Sequence, residues 1–454
     1  MSGAHAAKRR AGVLLHLASL GAGALGAPSR RFIDWLVSAG FSVWQMLPVG
    51  PTGSDGSPYW LSSDYAGHAQ YLASDELTDL GSAAAQHAHA VFLAASKHWL
   101  PDFALFEAIR AARGGRAWLE WEPSLRDRSA NALTIARRDF AAQIAAITVE
   151  QFQFDYQWQR LRAYAHQRGV QLLGDLPIYV APDSVETWAH REQFLLDASG
   201  RPTAFGGVPP DYFSTDGQLW GNPLYNWEVM AADGFRHWRA RIGQQLARFD
   251  LLRLDHFRGL ESHWAVPTSA PTAADGQWRH TPGHALLEAL RRDGAIEHFI
   301  AEDLGDITSE VDSLRKEFGL PGMHVLQFAF DGAASNPHLP HMHRHGSVVY
   351  TGTHDNDTLR GWLNCLDWET VQRLRHYFGT HGDDLHATLI RAALGSVSTI
   401  AVLPMQDLLN LGSEARLNTP GTVRGNWTWQ LPQDALREDL ARYFAELNRL
   451  FARS

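Results

Sequence analysis

What most constrains this chain is a repeat: short runs of apolar and β-branched residues, each closing on polar ones, with helix-period segments between many of them. The runs are 13–17 (VLLHL), 42–49 (SVWQMLPV), 170–180 (VQLLGDLPIYV), 250–257 (DLLRLDHF), 299–304 (FIAEDL), 323–330 (MHVLQFAF), 347–353 (SVVYTGT) and 399–408 (TIAVLPMQDL). Runs of this length and composition read as strands. Phe32, Trp35 and Leu36 share one face of a helix after the first run, Trp158, Leu161 and Ala165 share another, and Trp238, Ile242 and Leu246 a third. Val311, Leu314 and Phe318 do the same before the sixth run, with Gly319 placed to cap that helix. Strands alternating with helices imply parallel β/α units. Eight of them predict an α/β fold, a closed (β/α)8 TIM barrel. A doubly wound open sheet is the alternative, because periodicity cannot see closure.

Two insertions interrupt the repeat. Residues 67–150 carry helical patterns without a comparable strand, and residues 181–234 are rich in Gly, Pro, Asp and aromatics. In a barrel, segments leaving the strand C-termini build the active-site face. The stretch after Pro432 reads as a closing amphipathic helix, and no linker or low-complexity tract appears. The expectation is one catalytic domain over 1–454 with inserted, mainly helical subdomains.

The formal net charge is −9, with no Lys/Arg-rich block. Nucleic acid and anionic membranes both favour concentrated positive charge, so neither is expected as a main partner. Cys365 is the single cysteine, which rules out an intramolecular disulfide and fits a reducing compartment. The basic N-terminus leads into an apolar run interrupted by His16, which reads as a strand rather than a signal peptide. No stretch approaches the ~20 apolar residues of a membrane span. A cytoplasmic protein is expected, as a monomer or weak homo-oligomer.

The barrel reading makes a demand: chemistry should sit where strands end. The third run supplies Asp175. The fourth ends RLDHFRG, giving Arg253, Asp255, His256 and Arg258. The fifth ends AEDLGD, giving Glu302, Asp303 and Asp306, and the seventh ends GTHDND, giving His354, Asp355 and Asp357. Carboxylates beside apolar runs are costly to bury without partners. Any single one is accounted for by capping a turn; three clusters together are not. Two carboxyl groups flanking an anomeric carbon, ~5–5.5 Å apart, are what retaining glycoside chemistry needs. Arg253 shares a strand face with Asp255 and could hold it ionised as a nucleophile. Glu302 is placed to keep a proton near neutral pH and act as acid/base. Asp355, helped by His354, could stabilise an oxocarbenium-like transition state. The 17 Trp fit sugar faces as well as an ordinary core, but Tyr59, Trp60, Tyr212, Trp220, Tyr225 and Trp264 fall in loop-like sequence.

RLDHFRG, AEDLG and GTHDND, in this order, resemble the amylomaltase or 4-α-glucanotransferase (disproportionating enzyme) family of the α-amylase clan. Further matches are WQMLPVGPTG and SPY, GDLPIYV, GVPPDYFSTDGQLWGNPLYNW, PGMHVLQFAF and QDLLNLGSEARLNTPGT. The likeness covers nearly the whole chain. It implies Asp255 as nucleophile, Glu302 as acid/base, Asp355 as transition-state stabiliser, and transfer between maltooligosaccharides. It also implies sugar-side roles for Arg253, His354, Tyr59, Ser57 and Asp175, and glucan contacts for Gln218, Trp220 and Asn222. The family's chemistry needs no metal or organic cofactor. Two segments depart from its pattern: a longer loop after the first strand is reduced to GAGALGAPS, and WLSSDYAGH follows SPY, making Trp60, Asp64 and His68 unusual.

Other constellations are weaker. Gly21, Gly23 and Gly26 form GxGxxG between a strand and a helix, as in an NAD-dependent dehydrogenase, but the next strand ends without the ribose-binding acid. His338, His341, His343 and His345 resemble a metal cluster without Cys or acidic partners, and read as a solvated loop. An α-1,4-glucan hydrolase would use the same carboxylates, so residue chemistry does not separate hydrolysis from transfer. A glucan-binding protein without activity is disfavoured, because all three carboxylates remain.

Overall fold

The computed structural model describes residues 8–454 except 54, 211–214, 381–383 and 423; Tyr212 lies outside the described residues. Eight parallel strands form its centre: β1 Arg10–Leu14, β2 Val43–Gln45, β3 Gln171–Leu176, β4 Leu251–Leu254, β5 Phe299–Ala301, β6 Met323–Val325, β7 Val348–Tyr350 and β8 Ile400–Pro404. Their order is β6-β7-β8-β1-β2-β3-β4-β5. The remaining seam, between β5 and β6, is stitched rather than laddered. Ala301 N–H donates to the Pro321 carbonyl (2.8 Å), and Met323 N–H donates to Asp303 Oδ1 (2.7 Å). Closure therefore resolves the choice left by periodicity in favour of the (β/α)8 barrel.

Strand parity explains how the barrel fills. Leu14, Val43, Leu173, Ile300, Met323, Val325, Val348, Tyr350 and Val402 pack inside as one cluster. Their alternates, including Val13, Trp44, Leu172, Phe299 and Leu403, face the surrounding helices. Gly12 shares the inward parity of Leu14 and has no room for a side chain: a Cβ there would lie 2.8 Å from that of Val43. Helix Ser309–Glu317 ends as its sequence predicts, with Gly319 at φ +66° donating to the Lys316 carbonyl.

The strands are shorter than the apolar runs, and this matters at the mouth. β4 stops at Leu254 and β5 at Ala301, so Asp255 and Glu302 each stand one residue past a strand. The last run leaves the sheet at Pro404, and Met405–Leu408 turns as a short helix.

The first insertion carries helices Ala83–Ser96, Leu100–Ala112 and Ala130–Asp139, and leads into Ala141–Gln167. They enclose a separate, aromatic core that includes Trp99, Phe103, Phe106, Trp118, Trp121, Phe152 and Trp188. The second insertion, expected as a loop region at the active-site face, carries two strands. Ala204–Val208 and Gln218–Pro223 pair antiparallel, and Ser262–Pro267 and Gln277–His280 extend them into a four-stranded sheet beside the mouth. AFGGV and QLWGNP lack the alternation that marks a strand and hold one β-branched residue between them, Val208, so tertiary pairing decides their state. Among the described residues no helix is long and apolar enough to cross a membrane.

Candidate active site

The site begins with a register fact. On β3 and β4, Asp175 and Arg253 are direct neighbours. Arg253 Nη1 donates to both Asp175 oxygens (3.0 and 2.8 Å) and, two residues further along the chain, to Asp255 Oδ1 (2.8 Å). Arg253 and Asp175 are buried. Burial disfavours the guanidinium charge, but Asp175 and Asp255 outweigh it and raise the Arg253 pKa well above its ordinary value. Burial pushes Asp175 upward, against the pull of Arg253. Asp175 therefore reaches the site through its neighbours rather than by exposed oxygens.

Tyr59 links the two sides of the mouth. Its hydroxyl donates to Asp175 Oδ2 (3.0 Å) and lies 2.9 Å from His354 Nε2. Burial, then the Asp175 charge, raises its pKa far above that of a free phenol, so the group stays protonated. With its proton committed to Asp175, the phenol oxygen accepts from His354 Nε2–H. The two rings stack at 5.2 Å, and Trp427 packs beside both, at 6.0 and 6.1 Å. His354 Nε2 is also 3.3 Å from Asp355 Oδ2, while Asn418 Nδ2 donates to Asp355 Oδ1 (2.6 Å) and Arg416 to its carbonyl (2.7 Å).

Glu302 occupies a different environment. His256 N–H donates to its Oε2 (2.7 Å) and Leu304 N–H to its Oε1 (2.9 Å). Those bonds and Arg253 favour the anion, yet burial, reinforced by Asp255, dominates and raises the pKa to about 7. His256 turns its amide to Glu302 by adopting a left-handed conformation, φ 50° and ψ 51°, which costs an L-residue roughly 1–2 kcal/mol. Its ring, kept neutral by burial with a pKa lowered to about 4, meets Trp220 edge-on at 4.8 Å. The mouth thus holds one carboxyl bonded to a cation and a second whose pKa burial raises to about 7.

The sequence profile of the 4-alpha-glucanotransferase family matches residues 14–91 and 77–435. The chain belongs to that family. A 4-alpha-glucanotransferase of Thermus thermophilus is 41% identical over 473 residues, covering 93% of this chain and 95% of the relative. Its Synechocystis counterpart is 40% identical over 496 residues, with 98% of each covered. Amylomaltase from Streptococcus agalactiae, solved in complex with acarbose, superposes with a TM-score of 0.93 at 32% identity, covering 98% of this chain and 100% of that one. The activity is accordingly 4-alpha-glucan transfer, and the fold is that of the amylomaltases.

Most candidates from the sequence converge here. Arg253, Asp255, Glu302, His354, Asp355, Tyr59 and Asp175 form one connected mouth. Ser57 lies at its edge, where its Oγ accepts from Tyr59 N–H (3.3 Å). Gln218 accepts from Trp220 Nε1 (3.1 Å) through Oε1, and Trp220 reaches the site through His256. Asn222 is buried, with its amide donating to the Val180 carbonyl (2.8 Å), so its side chain fixes the hairpin. Of the unusual residues, Trp60 abuts the hairpin at Gly221, while Asp64 is buried on Arg241 (2.6 Å). His68 caps a short helix by accepting from Gln70 N–H.

Three contact residues were not singled out from sequence: Arg416, Asn418 and Trp427. Arg416 and Asn418 lie in RLNTPGT and Trp427 beyond it, in a stretch with no carboxylate at a strand end. The Gly21–Gly26 turn packs against residues 72–73, where a Cβ on Gly26 would lie 2.7 Å from Ala73. His338 and His343 are tied to Val325 and Ser396, and among the described residues no three ligating groups converge on a metal position.

Proposed function

We propose that the enzyme moves α-1,4-glucan segments between maltooligosaccharides, or to glucose, by retaining double displacement through a covalent glycosyl-Asp255 intermediate. Asp255 attacks the anomeric carbon as the glycosidic C–O bond breaks, and the Glu302 proton passes to the departing 4-oxygen. Glu302, now a carboxylate, takes the proton of an incoming 4-hydroxyl, which attacks the same carbon and releases Asp255. Arg253 Nη1, 2.8 Å from Asp255 Oδ1, holds that carboxyl and aims its other oxygen, as a nucleophile requires. Asp355 and His354 stabilise the cationic transition state and hold hydroxyls of the reacting ring. The observation that carries this reading is the pairing of Asp255 on Arg253 with a Glu302 whose pKa is raised to about 7.

Maltotriose incubated with pure protein and followed by chromatography tests it. A ladder of longer oligomers together with glucose is expected. Glucose and maltose without lengthening would replace transfer by hydrolysis, with water resolving the intermediate. No turnover by folded protein would remove both.

A further inference from the structure

Residues 352–358, which carry His354 and Asp355, have no regular secondary structure, yet their two ends meet on one side chain. Asp407 sits on the helical turn Met405–Leu408 that follows β8. Its Oδ2 accepts from Thr351 Oγ1 (2.6 Å), at the end of β7, and its Oδ1 accepts from Leu359 N–H (2.7 Å), where helix Leu359–Cys365 begins. All three residues are buried. The charge that bears on Asp407 belongs to Asp357, another anion, so no cation offsets the burial. An uncompensated carboxyl in such a place is costly.

We propose that Asp407 is a positioning residue for glucan transfer: its carboxyl clamps both ends of the 352–358 loop and so fixes where His354 and Asp355 stand over the sugar. The proposal rests on the role given to Asp355 above. The same segment holds the middle of the loop, through Ser413 Oγ on Asp357 Oδ2 (2.6 Å), Arg416 on the Asp355 carbonyl and Asn418 on its carboxylate. Ser413 is exposed, whereas Asp407 is sealed beneath the loop. The chain leaving β8 is thus a frame for the loop leaving β7, and Asp407 is its buried corner. Protonation does not undo the clamp: a neutral carboxyl can donate to the Thr351 hydroxyl while its other oxygen keeps Leu359. An asparagine can do the same with its amide.

The test compares Asp407→Ala, Asp407→Asn and Thr351→Val in the full chain. It measures kcat and KM for maltotriose together with hydrogen–deuterium exchange of residues 352–359. Asp407→Ala should lower kcat about 30-fold, as expected for a displaced transition-state contact, while KM moves less than about 3-fold. Exchange should quicken in 352–359 and stay unchanged in β1–β4. Asp407→Asn should restore kcat to within about 3-fold, and Thr351→Val should lose about 5-fold. Wild-type kcat in Asp407→Ala, a loss shared equally by Asp407→Asn, or lost activity without quicker loop exchange would overturn the clamp. Should Asp407→Ala not fold, unchanged kcat and exchange in Thr351→Val would overturn it alone. A wild-type protein without transfer would sink the functional reading instead, and the exchange data would still test the clamp.

Discussion

The two sides of the barrel mouth are held in different ways. On the β3–β4–β5 side, Asp175, Arg253, Asp255 and Glu302 stand on or one residue beyond strands, locked by ladder register and buried charge. On the β7–β8 side, His354 and Asp355 ride an irregular loop held by side chains from a distant stretch of chain: Asp407, Arg416 and Asn418. Tyr59 bridges them. The strand-borne side sets Asp255 and Glu302 by strand register and by the Arg253 contact. The loop-borne side takes its position from that distant stretch, and Tyr59 ties it to the first.

The comparison breaks most sharply at the nucleophile. Asp255→Asn should cut transfer at least about 10^3-fold while the protein stays folded, measured as maltotriose disproportionation. An effect on kcat within 10-fold would remove the strand side from the chemistry. Next, Glu302→Gln should cost about 10^2–10^4-fold in rate. It should also remove a pH dependence. In the wild type, glycosyl transfer from substrate should fall as pH rises past about 7, because Glu302 loses the proton it must donate. Stability should follow the same sign. A carboxyl whose folded pKa is raised contributes most below its ordinary value of about 4.5, and that contribution is lost as pH rises through about 7. The unfolding temperature of Glu302→Gln relative to wild type should therefore improve between pH 4.5 and 8. A difference independent of pH would mean that Glu302 is not kept neutral by burial.

This contrast also explains what could be seen in the sequence. Strand-side residues announce themselves because a carboxylate at the end of an apolar run is physically odd: RLDHFRG and AEDLG are legible one at a time. The barrel itself was legible for the same reason, since eight apolar runs repeat. The loop side is not. Asn418 and Arg416 act on Asp355 across more than sixty positions of chain, a distance no local pattern encodes. Trp427 joins the Tyr59–His354 stack from a left-handed turn, φ 64°, with no apolar run around it. The Gly-rich strands at 204–208 and 218–223 were hidden likewise, because they pair with each other across a long loop and 204–208 takes its second partner, 262–267, from another strand's exit. Asp64, a departure from the family pattern, is the buried partner of Arg241.

Smaller effects sharpen the comparison on the loop side. Asn418→Ala removes a charge-assisted hydrogen bond and should cost about 10-fold in kcat, with little change in unfolding temperature. Tyr59→Phe loses the hydroxyl that joins the two sides and should cost about 5-fold, raising KM and lowering kcat together. If both variants lose as much as Asp255→Asn, the loop is as rigid a part of the machinery as the strands.

The central claim is that a sugar is passed through Asp255. The direct measurement is mass spectrometry of the folded Glu302→Gln variant given an activated maltosyl fluoride, whose leaving group needs no acid. The bond to Asp255 should form quickly and, without Glu302 to deprotonate an acceptor, break slowly. Digestion should then recover a glycosylated peptide containing Asp255. Turnover of the fluoride with inverted product, or an adduct on any other residue, would contradict the account.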